Sequence, residues 1–78
     1  MSDLPTQPME PKPGLYRHYK NNHYRVIGLA LHSETREWLV VYEALYGDGG
    51  LFVRPVAMFN ETVEVGGKHV PRFARVGD

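Results

Sequence analysis

This chain predicts an all-β domain, and three observations carry the prediction. Short runs rich in β-branched and aromatic residues recur from residue 14 to residue 73. Gly, Asn, Pro and Ser punctuation bounds each run, as it bounds strands and their turns. No long helical segment or internal repeat interrupts the series.

The elements follow in order. Residues 1–13 hold four of the six prolines, Pro5, Pro8, Pro11 and Pro13. Proline removes a donor and fixes φ, so this stretch is expected to be a disordered, Pro-rich tail. A single small domain is expected over residues 14–76. Leu15 to Lys20, rich in aromatics, reads as the first strand, and Asn21-Asn22 supplies a hairpin turn because Asn tolerates positive φ. His23 to Leu31 is the second strand. Both of its faces carry apolar groups, and Gly28 in its middle permits the bend or bulge a small barrel needs. Ser33 to Arg36 is a polar loop. Glu37 to Leu45 is the third strand, with Leu39, Val40, Val41 and Tyr42 at its centre. Its alternation leaves two candidate core sets, and Val41 is taken as buried. Tyr46 to Gly50 is a turn in which three glycines reach positive φ without steric cost. Leu51 to Arg54 is the fourth strand. Pro55 ends it and starts a short helical turn through Phe59. Thr62 to Val65 is the fifth strand, Gly66-Gly67 a hairpin turn, and Lys68 to Phe73 a short edge segment suited to Pro71.

Five to six short antiparallel strands with one short helical turn imply a small SH3-like barrel, with an OB-like barrel as the alternative. A chain of 78 residues has room for one small core, worth a few kcal/mol. With no cysteine it has no disulfide or thiolate zinc site, so five Tyr, three Phe and one Trp must supply the burial.

Nine basic and nine acidic residues balance to zero. Setting aside Asp3, Glu10, Lys12 and Asp78 leaves eight basic and six acidic residues, a mild +2 over residues 14–77. Avid non-specific binding of nucleic acid needs a stronger bias. The first residues lack the basic start and apolar stretch of a signal peptide, and no apolar run approaches the roughly 20 residues of a membrane helix. A cytoplasmic protein with no membrane partner is expected.

Few groupings suggest chemistry. His18, His23, His32 and His69 show none of the spacings that gather zinc ligands, so neither a metal nor a cofactor is expected. His32-Ser33-Glu34 has the residue types of a nucleophilic triad, but neighbouring side chains on an extended chain point apart. Hydroxyls bonding local backbone donors explain that loop better. Gly47-Asp48-Gly49-Gly50 lacks the Lys-Ser/Thr and the following helix of a phosphate loop.

The run Gly14 to Lys20, with His32-Ser33-Glu34-Thr35, Val40-Val41-Tyr42, Leu45-Tyr46-Gly47, Val53-Arg54-Pro55, Met58-Phe59 and Val70 to Phe73, resembles a bacterial domain-of-unknown-function family, number 1653. The resemblance covers nearly all of residues 14–73. It implies a Gly after the Tyr-Lys pair and a Trp before Val-Arg-Pro, where this chain has Asn21 and Phe52. It implies a small bacterial domain and carries no activity, cofactor or catalytic residue.

The strongest functional signal is the interleaving of aromatic and basic side chains. Tyr16, Arg17, His18, Tyr19, Lys20, Tyr24 and Arg25 fall within ten positions, and Tyr42, Tyr46, Phe52 and Arg54 follow. Rings stack on bases or prolines, and Arg clamps an anion. The competing reading places the rings in the core with the cations lying over them. We expect a non-enzymatic binding module that recognises a protein segment or single-stranded nucleic acid through Tyr16, Arg17, His32, Glu34, Tyr42, Phe52 and Arg54. The alternative is a small enzyme or enzyme accessory using the loop of His32, Glu34 and Glu37. A deep pocket joining His32, Glu34 and Arg54 would favour chemistry, and a shallow aromatic strip would favour binding.

Overall fold

The structure, a computed structural model, describes residues 5–78. Seven strands and one helical turn follow in the order β1 (Gly14–His18), β2 (His23–Leu31), β3 (Trp38–Ala44), β4 (Leu51–Pro55), α1 (Val56–Phe59), β5 (Thr62–Val65), β6 (Lys68–Pro71) and β7 (Phe73–Gly77). The five-stranded antiparallel sheet runs β4-β3-β2-β1-β7, and β5 and β6 form a separate two-stranded ribbon. The all-β class with a single short helical turn is therefore as the sequence implies. Closure into an SH3-like or OB-like barrel is not reached, because β4 and β7 remain the two edges of the sheet. The edge segment read as Lys68 to Phe73 divides at Arg72. Its first part completes the ribbon, and its second becomes β7, which returns to pair with β1.

Local sequence explains the turns. Asn21 takes φ 79° in the β1–β2 turn, and the His18 N–H donates to the Asn22 carbonyl at 2.7 Å. Gly66 and Gly67 take φ 57° and 80°, the paired left-handed geometry of the tightest hairpin turn.

A bulge sets the faces of β2. The register passes from Val26 opposite Tyr42 to Gly28 opposite Val41, so Ile27 is the extra residue. Parity flips there, and Leu29 joins Tyr24 and Val26 on the core face. This is why the strand looked apolar on both sides. On β3 the buried set is Val40, Tyr42 and Ala44. Val41, expected in the core, is half-buried on the opposite face between Gly28 and Val53.

The core sits on one face of the sheet, under α1. Phe59 is 1% exposed, and its ring stacks on Phe73 at 4.1 Å with 4° between planes. Tyr16 and Tyr42 meet it edge-on, each with centroids 5.6 Å away. Val26 and Val40 complete the cluster. Aromatic burial thus supplies the core that this short chain needs.

Residues 1–4 of the proline-rich segment lie outside the described residues. Residues 5–13 form no strand or helix before β1 begins at Gly14, yet they lie against the domain. Pro11 is buried, and the carbonyls of Pro5, Glu10, Lys12 and Pro13 accept from Trp38, Asn60, Tyr16 and Arg75 respectively. Extended proline-rich backbone keeps its carbonyls free, which suits it to this accepting role. Among the described residues no helix is long and apolar enough to cross a membrane.

Candidate functional site

Register decides which of the aromatic and basic residues share a face. Tyr42 pairs with Phe52 and Val40 with Arg54, so Phe52 and Arg54 emerge on the core face of the sheet, on its edge strand. Tyr24 lies beside Tyr42 across β2 and β3, with centroids 5.4 Å apart and the rings edge to face. The β3–β4 turn, which begins at Leu45, brings Tyr46 back over Tyr24 at 5.5 Å. Tyr24, Tyr42, Tyr46, Phe52 and Arg54 line a shallow pocket of about 160 Å³. It is the open margin of the core, for Tyr42 touches Phe59 on one side and Phe52 on the other.

The polar groups of this pocket are arranged in pairs. The Tyr24 and Tyr46 hydroxyls are 2.9 Å apart and hydrogen bonded. Arg54 Nε donates to the Tyr42 hydroxyl at 3.3 Å. Arg54 has no carboxylate partner among the described residues, and no acidic side chain lines the pocket. Glu43, on the neighbouring strand, lies opposite Leu51 on the other face of the sheet. Burial, then the Tyr46 hydrogen bond and the neighbouring phenols, push Tyr24 up to about 12. His18, whose ring packs edge-on against Tyr24 and Phe73, is held below the ordinary histidine value by burial and then by the charges of Arg72, Lys20 and Arg54.

The seven residues singled out from sequence divide into four places. Tyr42, Phe52 and Arg54 come together. Tyr16 is a core residue, 4% exposed, with its hydroxyl spent on the Lys12 carbonyl. Arg17 points to the opposite face, where it lines a cleft of about 380 Å³ with Tyr19, Val65, Lys68 and Val70. His32 and Glu34 sit in the β2–β3 loop, and neither lines the aromatic pocket. His32 Nδ1 accepts from the Glu34 and Thr35 backbone N–H groups at 3.0 and 3.2 Å, and Thr35 Oγ1 accepts from the Glu37 N–H. That loop is a self-satisfied turn.

Tyr24 and Tyr46 belong to the pocket although neither was among the seven. The signal for Tyr24 was its place on the Val26 face before the bulge. Tyr46 gave no such signal, since the course of a glycine turn decides where its ring lies. The larger cleft lies between the ribbon and the outer face of β1 and β7. It combines apolar walls with two cations, Arg17 and Lys68, and a single ring, Tyr19.

A family model described as a protein of unknown function (DUF1653) matches residues 14–75. A crystal structure of a protein of that family from Bordetella bronchiseptica is similar to this chain at 47% identity, with a TM-score of 0.80. The match covers 87% of this chain and 90% of that one. No curated protein matches the chain.

Proposed function

The chain belongs to the DUF1653 family of proteins of unknown function, and from that premise we propose that it is a non-enzymatic binding module whose aromatic pocket takes a carboxylate-bearing segment of another protein. One observation carries the reading. Arg54 stands in a pocket walled by three tyrosines and a phenylalanine, with no acidic group among the described residues to neutralise it. A guanidinium anchored through Nε keeps its remaining N–H groups for a planar anion, and the rings beside it exclude water. The Tyr24–Tyr46 pair adds one free hydroxyl donor at the same margin, since the other hydroxyl proton is spent within the pair.

The pocket is shallow and gathers neither His32 nor Glu34, which supports binding over the alternative of an enzyme built on that loop. A balanced net charge favours a protein segment over single-stranded nucleic acid, whose affinity comes from many phosphate contacts. The similar Bordetella protein supports a bacterial setting, and the cytoplasm is the compartment we assign in the same reading.

The test starts from a random peptide display library selected against the folded domain. Fluorescence anisotropy then measures the selected peptides and a labelled oligothymidylate against the wild type and Arg54→Ala. Peptides enriched in Asp, Glu or a free C-terminus, and weakened at least about tenfold by Arg54→Ala (about 1.4 kcal/mol), are expected. Tighter binding of the oligothymidylate, lost in the same variant, would assign the pocket to nucleic acid instead.

A further inference from the structure

Strand β4 is an edge, and its first three residues, Leu51 to Val53, carry none of the devices that usually guard one. Natural edges carry lysines, prolines or bulges that stop a second strand from pairing. Here Leu51, Phe52 and Val53 are 66%, 46% and 60% exposed, with no charge among them.

The ladder shows which backbone groups are free. The Ala44 N–H donates to the Gly50 carbonyl at 3.0 Å, so Ala44 and Gly50 are a hydrogen-bonded pair. Antiparallel pairs alternate, which makes Tyr42 with Phe52 and Val40 with Arg54 the next bonded pairs. The N–H and C=O groups of Leu51 and Val53 therefore face away from β3. Pro55, the next residue in that row, has no N–H. On the other side Gly49 and Gly50 take φ 76° and 119°, which breaks the extended course.

The free edge thus consists of two residues, with Phe52 between them. We infer that β4 pairs with β4 of a second copy about a two-fold axis through Phe52. Leu51 then faces Val53 of the second copy in a bonded pair, and Val53 faces Leu51. Phe52 faces its own equivalent in the unbonded position between them. Only this register uses all four donors and acceptors without calling on Pro55. Arg54 falls opposite Gly50, so no like charges meet. The strip is self-complementary, which favours a second copy over a foreign strand.

The two-fold stands perpendicular to the sheet, so both aromatic faces point the same way. Phe52 lines the pocket and touches Tyr42 at 5.8 Å. The pairing sets two pockets side by side and gives each the Phe52 ring of the other copy as a wall. The inference stands apart from the peptide reading, since its test uses no ligand.

The chain has no cysteine, so introduced thiols report pairing without background. An unbonded pair holds its Cα atoms about 4.5 Å apart, within the range a disulfide needs. Phe52→Cys is compared under mild oxidation with Met58→Cys, which lies on α1 and is 45% exposed. Phe52→Cys is expected to cross-link at least about tenfold faster, as a paired thiol outpaces a colliding one. Adding Val53→Lys to it should reduce the rate to that of Met58→Cys. A second arm keeps clear of the pocket. A mixture of Leu51→Cys and Val53→Cys should form the mixed dimer faster than either variant pairs with itself. Equal rates in both arms, with wild type sedimenting as a monomer throughout a dilution series, would overturn the pairing.

Discussion

Truncating Phe59 to alanine tests whether the core is as the rings describe it. The side chain is 1% exposed and meets Phe73, Tyr16 and Tyr42 at 4.1, 5.6 and 5.6 Å. An aromatic side chain buries roughly 150–250 Å², worth about 4–6 kcal/mol at about 25 cal/mol per Å². Alanine retains part of that area, and measured Phe→Ala losses lie near 3–5 kcal/mol. A single small core supplies about 3–5 kcal/mol in total. The truncation therefore removes most or all of the stability. Urea unfolding followed by Trp38, the single tryptophan, reads the result. With a slope near 1 kcal/mol per molar urea for a small domain, the native baseline should vanish at 25 °C. A cooperative transition within about 1 M of wild type would refute the account, because a loss of only about 1 kcal/mol is too small for a ring held on three sides.

Further predictions follow from the same geometry. Val40→Asp should abolish folding, since Val40 is 0% exposed, whereas Val41→Asp should leave a cooperative thermal melt, since Val41 is half-buried on the other face. Deleting residues 1–12 should lower the melting temperature by several degrees. It removes the Lys12 carbonyl that partners the Tyr16 hydroxyl, a loss of about 1–3 kcal/mol, and each kcal/mol moves a domain of this size by roughly 4–8 °C. Tyr46→Phe should lower the Tyr24 pKa from about 12, read by ultraviolet titration of the phenolates, because the Tyr46 hydroxyl is one cause of its elevation. His18 is depressed in the folded state, so the unfolded chain takes up the proton first. Stability should be unaffected by this group above the ordinary value of 6.5 and decline as pH falls from there towards the depressed folded value. His18→Asn should flatten that decline in melts recorded across the window.

The sequence made the strands legible because β-branched runs and glycine punctuation act locally. Asn21, Gly47, Gly49, Gly66 and Gly67 reach the positive φ values that their turns require. What lay beyond the sequence depends on register. Nothing local distinguishes Val40 from Val41 until the bulge at Ile27 fixes which side of β3 meets α1. The same holds for Tyr16 and Arg17, adjacent residues of one aromatic run that point to opposite faces, one to the core and one to the outer cleft. Tyr42, Phe52 and Arg54 were legible together because the turn after Tyr46 makes β3 and β4 a hairpin. Strand β7 was missed because Ala74 to Gly77 is short and glycine-ended with a single β-branched residue, Val76, and only its partner β1 makes it a strand.

The central claim is that Arg54 and the rings around it receive a carboxylate from a partner segment. A double-mutant cycle measures this directly, pairing Arg54→Ala with a Glu→Gln change in a selected peptide and titrating all four combinations by anisotropy. The account predicts that each single change weakens binding at least about tenfold and that the two together cost little more than either alone, a coupling near 1.4 kcal/mol. Independent, additive losses, or binding unchanged by Arg54→Ala, would contradict it.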